Sequence, residues 1–431
     1  MKRLQTYLPA AAIGCLALLV RIVYNATVAH GYIPEYDARY YHTIALNLIN
    51  QHCFCLAPHV PTVDRAPFWP WLLAIIYTLT GTNNAHSRLF LCFIGTGTCL
   101  ITYLWTKDIF NRRIALITGI VAALYPGLFI YDGWLYTESL YTFLLLAFAY
   151  CLYRLQYTAR LRWAIFSGVA LAMATLTRPN GLLFLGLLIV WAIIVLRAKF
   201  IPWQTAIRGV LIVTLLTVGL IAPWTVRNYT ISHTFIPVAT GSGPVLAGVY
   251  NDNVFTDPRV TPRGMWIPLD FLYHPVDYHG HGCCSYAGEP YNVAYALHWI
   301  RTHPAQMPEL LGMHFINMWR PYTSEEGLPV REFPDRTSSK IVWSLMNITP
   351  IPIILLAFFG LLVTWRRRWQ HLLIPAMLLF MTIAQCIVFY GSSRFRAPIE
   401  PILVLLVGGA IWWLTQSDVG TLRTMLKKRR Q

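Results

Sequence analysis

The sequence has little charge: only 12% of its 431 residues are Asp, Glu, Lys or Arg, whereas 56% are hydrophobic. A typical soluble domain carries about 25% charged residues. Apolar runs of roughly 20 residues recur along the whole chain, and each is long enough to cross about 30 Å of hydrocarbon. The shortage of charge therefore excludes a soluble protein and predicts an all-α polytopic membrane protein.

A signal-peptide cleavage site is also missing. No small-residue cleavage motif follows the first apolar run, Leu8 to Thr27, so we expect this run to be retained as a membrane anchor. Taken in order, the apolar runs predict about ten spans, at residues 8–28, 87–106, 113–131, 135–153, 162–177, 180–197, 207–223, 342–364, 370–389 and 398–415.

Acidic residues are scarce next to basic ones, and the net charge is +16. With a cytoplasmic amino terminus, the segments on the inner side hold 19 of the 34 basic residues and two of the 18 acidic ones, so the outer side is nearly neutral. This asymmetry follows the positive-inside rule and predicts that both termini are cytoplasmic. The basic charge is therefore attributed to membrane topology, and no nucleic acid is expected as a partner.

The predicted spans divide the chain into three regions. Residues 1–223 form an amino-terminal transmembrane module whose first external loop covers 29–86. Residues 224–341 form a large external loop between the seventh and eighth spans, and residues 342–431 a second transmembrane module with a basic cytoplasmic tail.

Two apolar stretches within the external loops are too short or too amphipathic to be spans. In the first loop, the stretch from Trp69 to Thr80 suits a re-entrant or interfacial helix. In the long loop, an apolar stripe between Tyr291 and Trp319 has helical spacing and predicts one or two helices on the membrane surface.

Four of the nine cysteines are predicted to be external, where disulfide bonds can persist. We expect one or two bridges between the first loop and the long loop, and the candidates are Cys53, Cys55, Cys283 and Cys284. A metal site is the alternative, because several histidines lie nearby: His52, His59, His274, His279 and His281. Their spacing matches no standard zinc pattern, so we predict no metal ligands. No cofactor is expected for the chemistry, and a divalent metal is possible but not indicated.

Ionisable side chains at the outer ends of the spans share one predicted face. They are Asp37, Asp64, Arg65, Glu138, Arg178, Arg227, Arg394 and Arg396. Such groups are costly at the margin of hydrocarbon and therefore indicate a functional site. The alternative is that the arginines only extend to lipid headgroups.

This set of residue types suits one kind of chemistry. The guanidinium fork matches phosphate, and a nearby carboxylate can deprotonate an attacking hydroxyl group. Together they indicate displacement at a carbon that bears a lipid-linked phosphate, which is glycosyl transfer. Tyr40, Tyr41 and Asp64 are expected to line the substrate site.

Six motifs, spread over residues 30 to 405, resemble those of GT-C glycosyltransferases. They are Asp37-Ala-Arg-Tyr40-Tyr41, Arg65-Ala-Pro67, Thr137-Glu138, Thr177-Arg178-Pro179, Pro223-Trp224 with Arg227-Asn228, and Arg394-Phe-Arg396-Ala-Pro398. The most similar branch contains the protein O-mannosyltransferases and the lipid A aminoarabinose transferases, which are family 39-like enzymes. Larger members have a soluble carboxy-terminal domain, whereas here the extra length lies in the loop at 224–341, which leaves the acceptor open.

The resemblance implies a GT-C fold and a role for each motif residue. Asp37 would be the catalytic base and Glu138 the second acid. Arginines of the family contact the donor phosphate, and the matches here are Arg65, Arg394, Arg396, Arg178 and Arg227. If the last external turn is extended, alternate side chains share a side, so Arg394 and Arg396 would meet Arg65 around one phosphate.

The function expected from these observations is an inverting glycosyltransferase. It would move a monosaccharide from a polyprenyl-phosphate donor to a hydroxyl group of an envelope glycan, lipid or protein, at the external face of a bacterial inner membrane. One alternative is a ligase or polymerase that uses a lipid-diphosphate-linked glycan. A transporter or flippase is the other, but Arg21 is the main charged residue inside a predicted span, whereas transporters usually carry ionisable groups at the midplane.

Overall fold

The computed structural model describes residues 2–260, 262–279, 282–283, 285–320, 328 and 330–428. This part of the chain is mainly helical. The α-helices, in chain order, are α1 (Lys2–Ala26), α2 (Tyr36–Gln51), α3 (Phe68–Thr80), α4 (Asn84–Ile109), α5 (Arg112–Leu124), α6 (Glu138–Thr158), α7 (Arg162–Thr177), α8 (Phe184–Arg197), α9 (Trp203–Ser232), α10 (Ser242–Val249), α11 (Asn253–Thr256), α12 (Glu289–Thr302), α13 (Met307–Trp319), α14 (Arg336–Ile348), α15 (Pro350–Val388) and α16 (Glu400–Lys428). Two short strands, β1 (Cys55–Ala57) and β2 (Val60–Pro61), pair antiparallel.

Six helical segments within the described residues are long and apolar enough to cross a membrane. They are Tyr7–Ala26, Asn84–Ile109, Pro179–Arg197, Trp203–Ser232, Arg336–Val388 and Ser393–Gln416. The predicted all-α polytopic class is therefore confirmed, while the number of ten spans stays a prediction.

The third predicted span, residues 113–131, is shorter as a helix than expected. Helix α5 ends at Leu124, and two 3₁₀ turns follow at Pro126–Leu128 and Ile130–Gly133. The residue before a proline is pushed away from helical backbone angles, and Tyr125 accordingly has φ −77° and ψ 116°. The chain therefore leaves the helix about two turns early and reaches the beginning of α6 through tight turns.

Helix α9 instead continues beyond Pro223, where the sequence predicted its end, to Ser232. Proline removes one helical hydrogen bond, and contacts to the returning chain compensate for this loss. The Trp224 indole donates to the Val238 carbonyl at 2.7 Å, and the Asn228 amide donates to the same oxygen at 2.9 Å.

The eighth and ninth predicted spans form one long helix with a break. Helix α15 has 39 residues, but Arg368 has non-helical angles of φ −133° and ψ 17°. This position lies between the predicted spans 342–364 and 370–389, so the break separates the two apolar stretches. Helix α15 packs against α16 through Gly360, where a Cβ atom would overlap the Leu406 carbonyl and the Ala410 amide. Small residues allow this close helix contact.

Arg21, the charged residue within the apolar part of α1, has a buried partner. The Arg21 Nε atom donates to Asp132 Oδ2 at 2.7 Å, and both side chains are fully buried. A second guanidinium nitrogen donates to the Leu128 carbonyl at 2.8 Å. Gly95 lies against the pair, where a Cβ atom would overlap both charged groups. The pair therefore joins α1 to the turn that precedes α6.

In the first loop, the expected short helix is α3, which has 13 residues. A helix rises about 1.5 Å per residue, so α3 is too short to cross about 30 Å of hydrocarbon. Cys53 forms a disulfide bond with Cys55, beside the small hairpin. The expected bridge from these cysteines to the long loop is thus wrong, because the tight turn brings the two thiols together. Cys284 lies outside the described residues.

The region between Tyr291 and Trp319, expected to form one or two helices, contains α12 and α13, while their position on the membrane surface stays a prediction. The preceding region contains α10 and the short α11. The Glu289 carboxylate accepts hydrogen bonds from the Gly241 and Gly243 amides at 3.0 and 2.7 Å, at the beginning of α10. An acid at a helix N-terminus satisfies free amides and favours the helix, and this one comes from a distant part of the chain.

Candidate active site

Asp37 lies in the first turn of α2, where its carboxylate meets two arginines from other segments. Its Oδ2 atom accepts a hydrogen bond from Arg394 Nη2 at 2.9 Å. Arg65 Nη2 lies 4.0 Å from Oδ1. The Asp37 side chain keeps 34% of its surface exposed, so the carboxylate is accessible from outside as well as paired.

Glu138, at the beginning of α6, is the more deeply buried acid. Its side chain is 1% exposed, and its Oε1 atom accepts from Arg178 Nη2 at 2.5 Å. Arg394 Nε also donates to this oxygen. Arg394 therefore bridges the two carboxylates, and Asp37, Arg394, Glu138 and Arg178 form one continuous chain of charges.

Local sequence places the two bridging arginines at the ends of apolar helices. Arg178 follows α7 directly and precedes Pro179, which explains its extended angles of φ −144° and ψ 127°. Its Nε atom donates to Thr137 Oγ1 at 2.6 Å. Arg394 belongs to the 3₁₀ turn Ser393–Ile399 that leads into α16. Its guanidinium carbon lies 4.5 Å from the centre of the Tyr136 ring, a cation–π distance.

The cluster of three arginines and two acids, namely Asp37, Arg65, Glu138, Arg178 and Arg394, carries one net positive charge. Burial raises the pKa of Asp37, but the nearby Arg394 and Arg65 outweigh this effect and hold the pKa below its ordinary value. Asp37 is therefore ionised at neutral pH. The cluster combines an ionised, accessible carboxylate with spare positive charge.

Arg65 has the most available donors in this cluster. Its guanidinium lies 4.7 Å from the centre of the Tyr40 ring, and Nη1 donates to the Asp64 carbonyl at 3.0 Å. Its buried Nε atom has no hydrogen-bond partner among the described residues. Tyr41 is buried in the same region, where burial and the Asp37 charge raise the pKa of its phenol. These observations place Tyr40 and Tyr41 beside the cluster, and their role in lining the substrate site stays a prediction.

The carboxylate of Asp64 connects the two external loops. It accepts hydrogen bonds from Thr62 Oγ1 at 3.0 Å and from Thr240 Oγ1 at 2.7 Å. Both oxygens therefore have protein partners that tie the hairpin region to the beginning of the long loop. This contact indicates a supporting role, and the substrate-lining role predicted for Asp64 stays a prediction.

Arg227 lies outside the charge cluster. Its Nη1 atom donates to the Thr62 carbonyl at 2.5 Å and Nη2 to the Phe54 carbonyl at 3.2 Å. Its guanidinium also lies 4.5 Å from the centre of the Trp224 ring. The expected phosphate ligand thus holds the first loop against α9.

Arg396 also differs from the expectation. It is fully buried, its Nε atom donates to Glu400 Oε1 at 2.5 Å, and Nη1 donates to the Met318 carbonyl at 3.0 Å. The turn is a 3₁₀ helix and not extended chain, so residues two apart point in different directions. Arg394 and Arg396 therefore do not converge on one phosphate.

Three neighbours of the cluster were missed in the sequence. Thr137 orients Arg178, Tyr136 packs on Arg394, and Glu332 accepts a hydrogen bond from Tyr136 at 2.6 Å. Thr137 could have been found, because it belongs to the Thr137-Glu138 motif. Glu332 stands beside Phe333 and Pro334, an apolar setting for an acid, but nothing local indicates which residue it contacts.

Metal binding at this site has no support from the geometry of the described residues, which contain no group of three or more His, Cys, Asp or Glu side chains suited to an ion. The sequence-based expectation about cofactors stays a prediction.

Comparisons with known proteins agree with this architecture. Residues 64–222 match the family model described as dolichyl-phosphate-mannose-protein mannosyltransferase. No curated protein sequence matches the chain. Among solved structures, the Archaeoglobus fulgidus oligosaccharyltransferase AglB, in complex with an inhibitory peptide and a dolichol-phosphate, has 12% identity and a TM-score of 0.57. This match covers 99% of this chain and 52% of that one.

Two further structures are similar. The same archaeal enzyme tethered to an acceptor peptide has 13% identity and a TM-score of 0.56, with 97% of this chain and 51% of that chain covered. ArnT from Cupriavidus metallidurans, bound to undecaprenyl phosphate, has 14% identity and a TM-score of 0.44, with 93% and 77% covered. The chain spans about half the length of the archaeal oligosaccharyltransferase.

The shared fold confirms the GT-C fold that the motifs indicated, and the match over residues 64–222 agrees with it. The protein is a multi-pass membrane protein with the fold of the GT-C glycosyltransferases.

Proposed function

We propose that the protein is an inverting glycosyltransferase that moves a monosaccharide from a polyprenyl-phosphate donor to an acceptor hydroxyl group. The observation that carries the proposal is the state of Asp37: ionised, 34% exposed, and paired with Arg394 beside a second acid–arginine pair. A general base needs both access to the proton and the unprotonated form.

In the proposed reaction, the acceptor hydroxyl gives its proton to the Asp37 carboxylate as its oxygen bonds to the anomeric carbon. The bond from that carbon to the phosphate oxygen breaks on the opposite side, and the polyprenyl phosphate leaves with the electron pair. Arg65 is suited to stabilise the departing phosphate, because its Nε atom is buried without a hydrogen-bond partner in the described structure. Attack opposite the leaving group inverts the anomeric configuration.

The charge of the cluster supports a monophosphate donor over a diphosphate one. Three arginines and two paired acids leave one positive charge. A sugar linked through one phosphate brings one negative charge, whereas a diphosphate linkage brings about two. A matched charge avoids an uncompensated ion in a site of low dielectric. This balance favours the monosaccharide transferase over a glycan ligase or polymerase.

The location and the partners belong to the same proposal. The asymmetry of basic residues supports cytoplasmic termini and a site on the external face of a bacterial inner membrane. The archaeal enzyme of the same fold is seen with a dolichol-phosphate and a peptide, which supports a lipid-linked donor here. The acceptor is a hydroxyl of an envelope glycan, lipid or protein.

The test is transfer by the purified protein in nanodiscs. Radiolabelled polyprenyl-phosphate sugars and their diphosphate-linked counterparts are supplied with fractionated envelope acceptors. We expect label to move only from a monophosphate donor, and to move at least about 10²-fold more slowly with Asp37→Asn. Transfer from diphosphate donors alone would favour the ligase, and label crossing the bilayer without transfer would favour a flippase.

A further inference from the structure

A segment of the long external loop reaches the candidate site. Phe333 and Leu328 are buried in the same apolar cluster as Trp134 and Tyr136, and the main-chain carbonyl of Glu332 accepts from the Ile33 amide at 3.3 Å. The Glu332 side chain is only 2% exposed. Burying an acid to this degree costs free energy of folding unless hydrogen bonds compensate for the lost water.

The Glu332 carboxyl group has partners on two sides of the site. Its Oε1 atom accepts the Tyr136 hydroxyl at 2.6 Å. On the other side, the Tyr32 hydroxyl and the main-chain amide of Glu35, the residue before α2, lie near enough to lower the pKa of this acid, while its Oε2 atom has no hydrogen-bond partner among the described residues. The Leu135 amide donates to the Tyr32 oxygen at 3.2 Å, which leaves the Tyr32 proton free to point at the acid.

Tyr136 connects this acid to the charge cluster. Its hydroxyl group donates to Glu332, while its ring lies 4.5 Å from the Arg394 guanidinium carbon. Arg394 in turn contacts both Asp37 and Glu138. One tyrosine therefore separates Glu332 from the arginine that bridges the two acids.

We propose that Glu332 is a positioning residue of the transferase: through Tyr136 it fixes Arg394 between Asp37 and Glu138, and it does so best when ionised. The inference rests on the proposed function. A carboxylate accepts the Tyr136 proton more strongly than a neutral acid does, and a stronger hydrogen bond holds the ring against Arg394. A hydroxyl group that donates to a carboxylate also makes the ring richer in electrons, which favours the cation on its face.

The ionisation of Glu332 falls in the physiological range. Burial raises the pKa of Glu332 to about 7, although the hydrogen bonds from Tyr136 and Tyr32 lower it. The carboxylate of Glu35 raises this pKa further. The titratable and charged groups around the acid are thus Tyr32 and Glu35 from the first loop, with Tyr136 and then Arg394 on the other side. Transfer should therefore increase with pH through about 7.

The first experiment measures kcat and donor KM between pH 5.5 and 8.5. In Glu332→Gln the side chain still accepts a hydrogen bond but cannot ionise. We expect kcat to fall about tenfold at pH 8, as the loss of a charge-assisted hydrogen bond implies, with donor KM changed less than threefold. The rise in kcat near pH 7 should disappear. Glu309→Gln, an exposed acid of the same loop, is the matched control and should keep the wild-type profile.

A second variant tests the link itself. Tyr136→Phe keeps the ring on Arg394 but removes the hydroxyl group that donates to Glu332, so it should also abolish the pH step. The kcat of the double variant, Glu332→Gln with Tyr136→Phe, should then be no lower than that of either single variant. A wild-type pH profile in Glu332→Gln, or a retained step in Tyr136→Phe, overturns the proposal.

A readout independent of transfer separates this proposal from the proposed function. The folded-state pKa of Glu332 lies above its ordinary value, so wild-type stability should decline as pH rises from about 4.5 to 7, whereas Glu332→Gln should lack this slope. The free energies of unfolding of Glu332→Gln, Tyr136→Phe and the double variant together give the coupling energy between the two side chains. Absence of transfer in the wild type overturns the proposed function, whereas additive unfolding changes overturn the Glu332 link.

Discussion

Removing the charge of Glu138 should destabilise the protein far more than removing that of Asp37, although both changes should slow transfer strongly. The Glu138 side chain is 1% exposed, and one of its oxygens accepts from two arginines whose side chains are each 16% exposed. Loss of one partner from a buried ion pair typically costs about 3–5 kcal/mol. Glu138→Gln should cost about 3 kcal/mol, at the lower end, because glutamine still accepts one hydrogen bond and Asp37 still neutralises Arg394.

Substitution of Asp37 should affect turnover more than stability. Its side chain is 34% exposed, with one arginine contact at 2.9 Å and another at 4.0 Å. Partly exposed ion pairs contribute at most about 1 kcal/mol. Asp37→Asn keeps the shape and one hydrogen bond, so its stability should fall by about 1 kcal/mol or less. Its turnover should nevertheless fall by about 10²-fold, because the base is lost.

The assay compares denaturant unfolding in detergent with transfer at saturating donor. Asp270→Asn, an exposed acid of the long loop, is the control for an unspecific loss of negative charge. Equal destabilisation by Asp37→Asn and Glu138→Gln would refute the reasoning, since burial would then not separate the two acids. Near-normal turnover in Asp37→Asn would transfer the role of base to Glu138.

Three further predictions concern the remaining expected site residues. Arg396→Met should destabilise the protein by about 3 kcal/mol, because the buried Glu400 carboxylate loses its cation and keeps only the Tyr125 hydrogen bond. Glu400→Gln in the same chain should restore part of this loss in unfolding measurements, and a selective rise in donor KM would contradict the prediction. Arg65→Lys keeps the charge but loses the fork, so donor KM should rise about tenfold while acceptor KM stays constant in steady-state kinetics. Cys55→Ser should make the half-buried Cys53 alkylatable without reductant, as mass spectrometry of the peptide would detect, and an unreactive Cys53 would argue for another partner.

The helical architecture could be read from the sequence because bilayer thickness imposes the length of apolar runs. Errors occurred where local and tertiary effects compete. Pro126 ended α5 about two turns early, as local sterics require. Pro223 did not end α9, because Trp224 and Asn228 both bind the returning chain. A proline pattern by itself does not distinguish these outcomes.

The candidate site was only partly predictable for a related reason. Position at the end of a span fixes the depth of a side chain but not its direction. Four side chains at this depth converge on one another, as expected: Asp37, Glu138, Arg178 and Arg394. Arg396 has a similar position but points to Glu400, since a 3₁₀ turn rotates it away from Arg394. Only the backbone conformation of that turn decides between the two arginines.

The two acids of the cluster also differ for a reason that residue type cannot supply. Both are carboxylates bridged by Arg394, yet Glu138 is enclosed and Asp37 is open on one side. Glu138 is 1% exposed, so neither of its oxygens is accessible to a hydroxyl group from outside, and its effect is to hold the two arginines in place. An open acid with the same arginine remains ionised and accessible. Burial therefore assigns the fixed counter-ion to Glu138 and the proposed base to Asp37, and the separate effects of their substitution on stability and turnover follow from that difference.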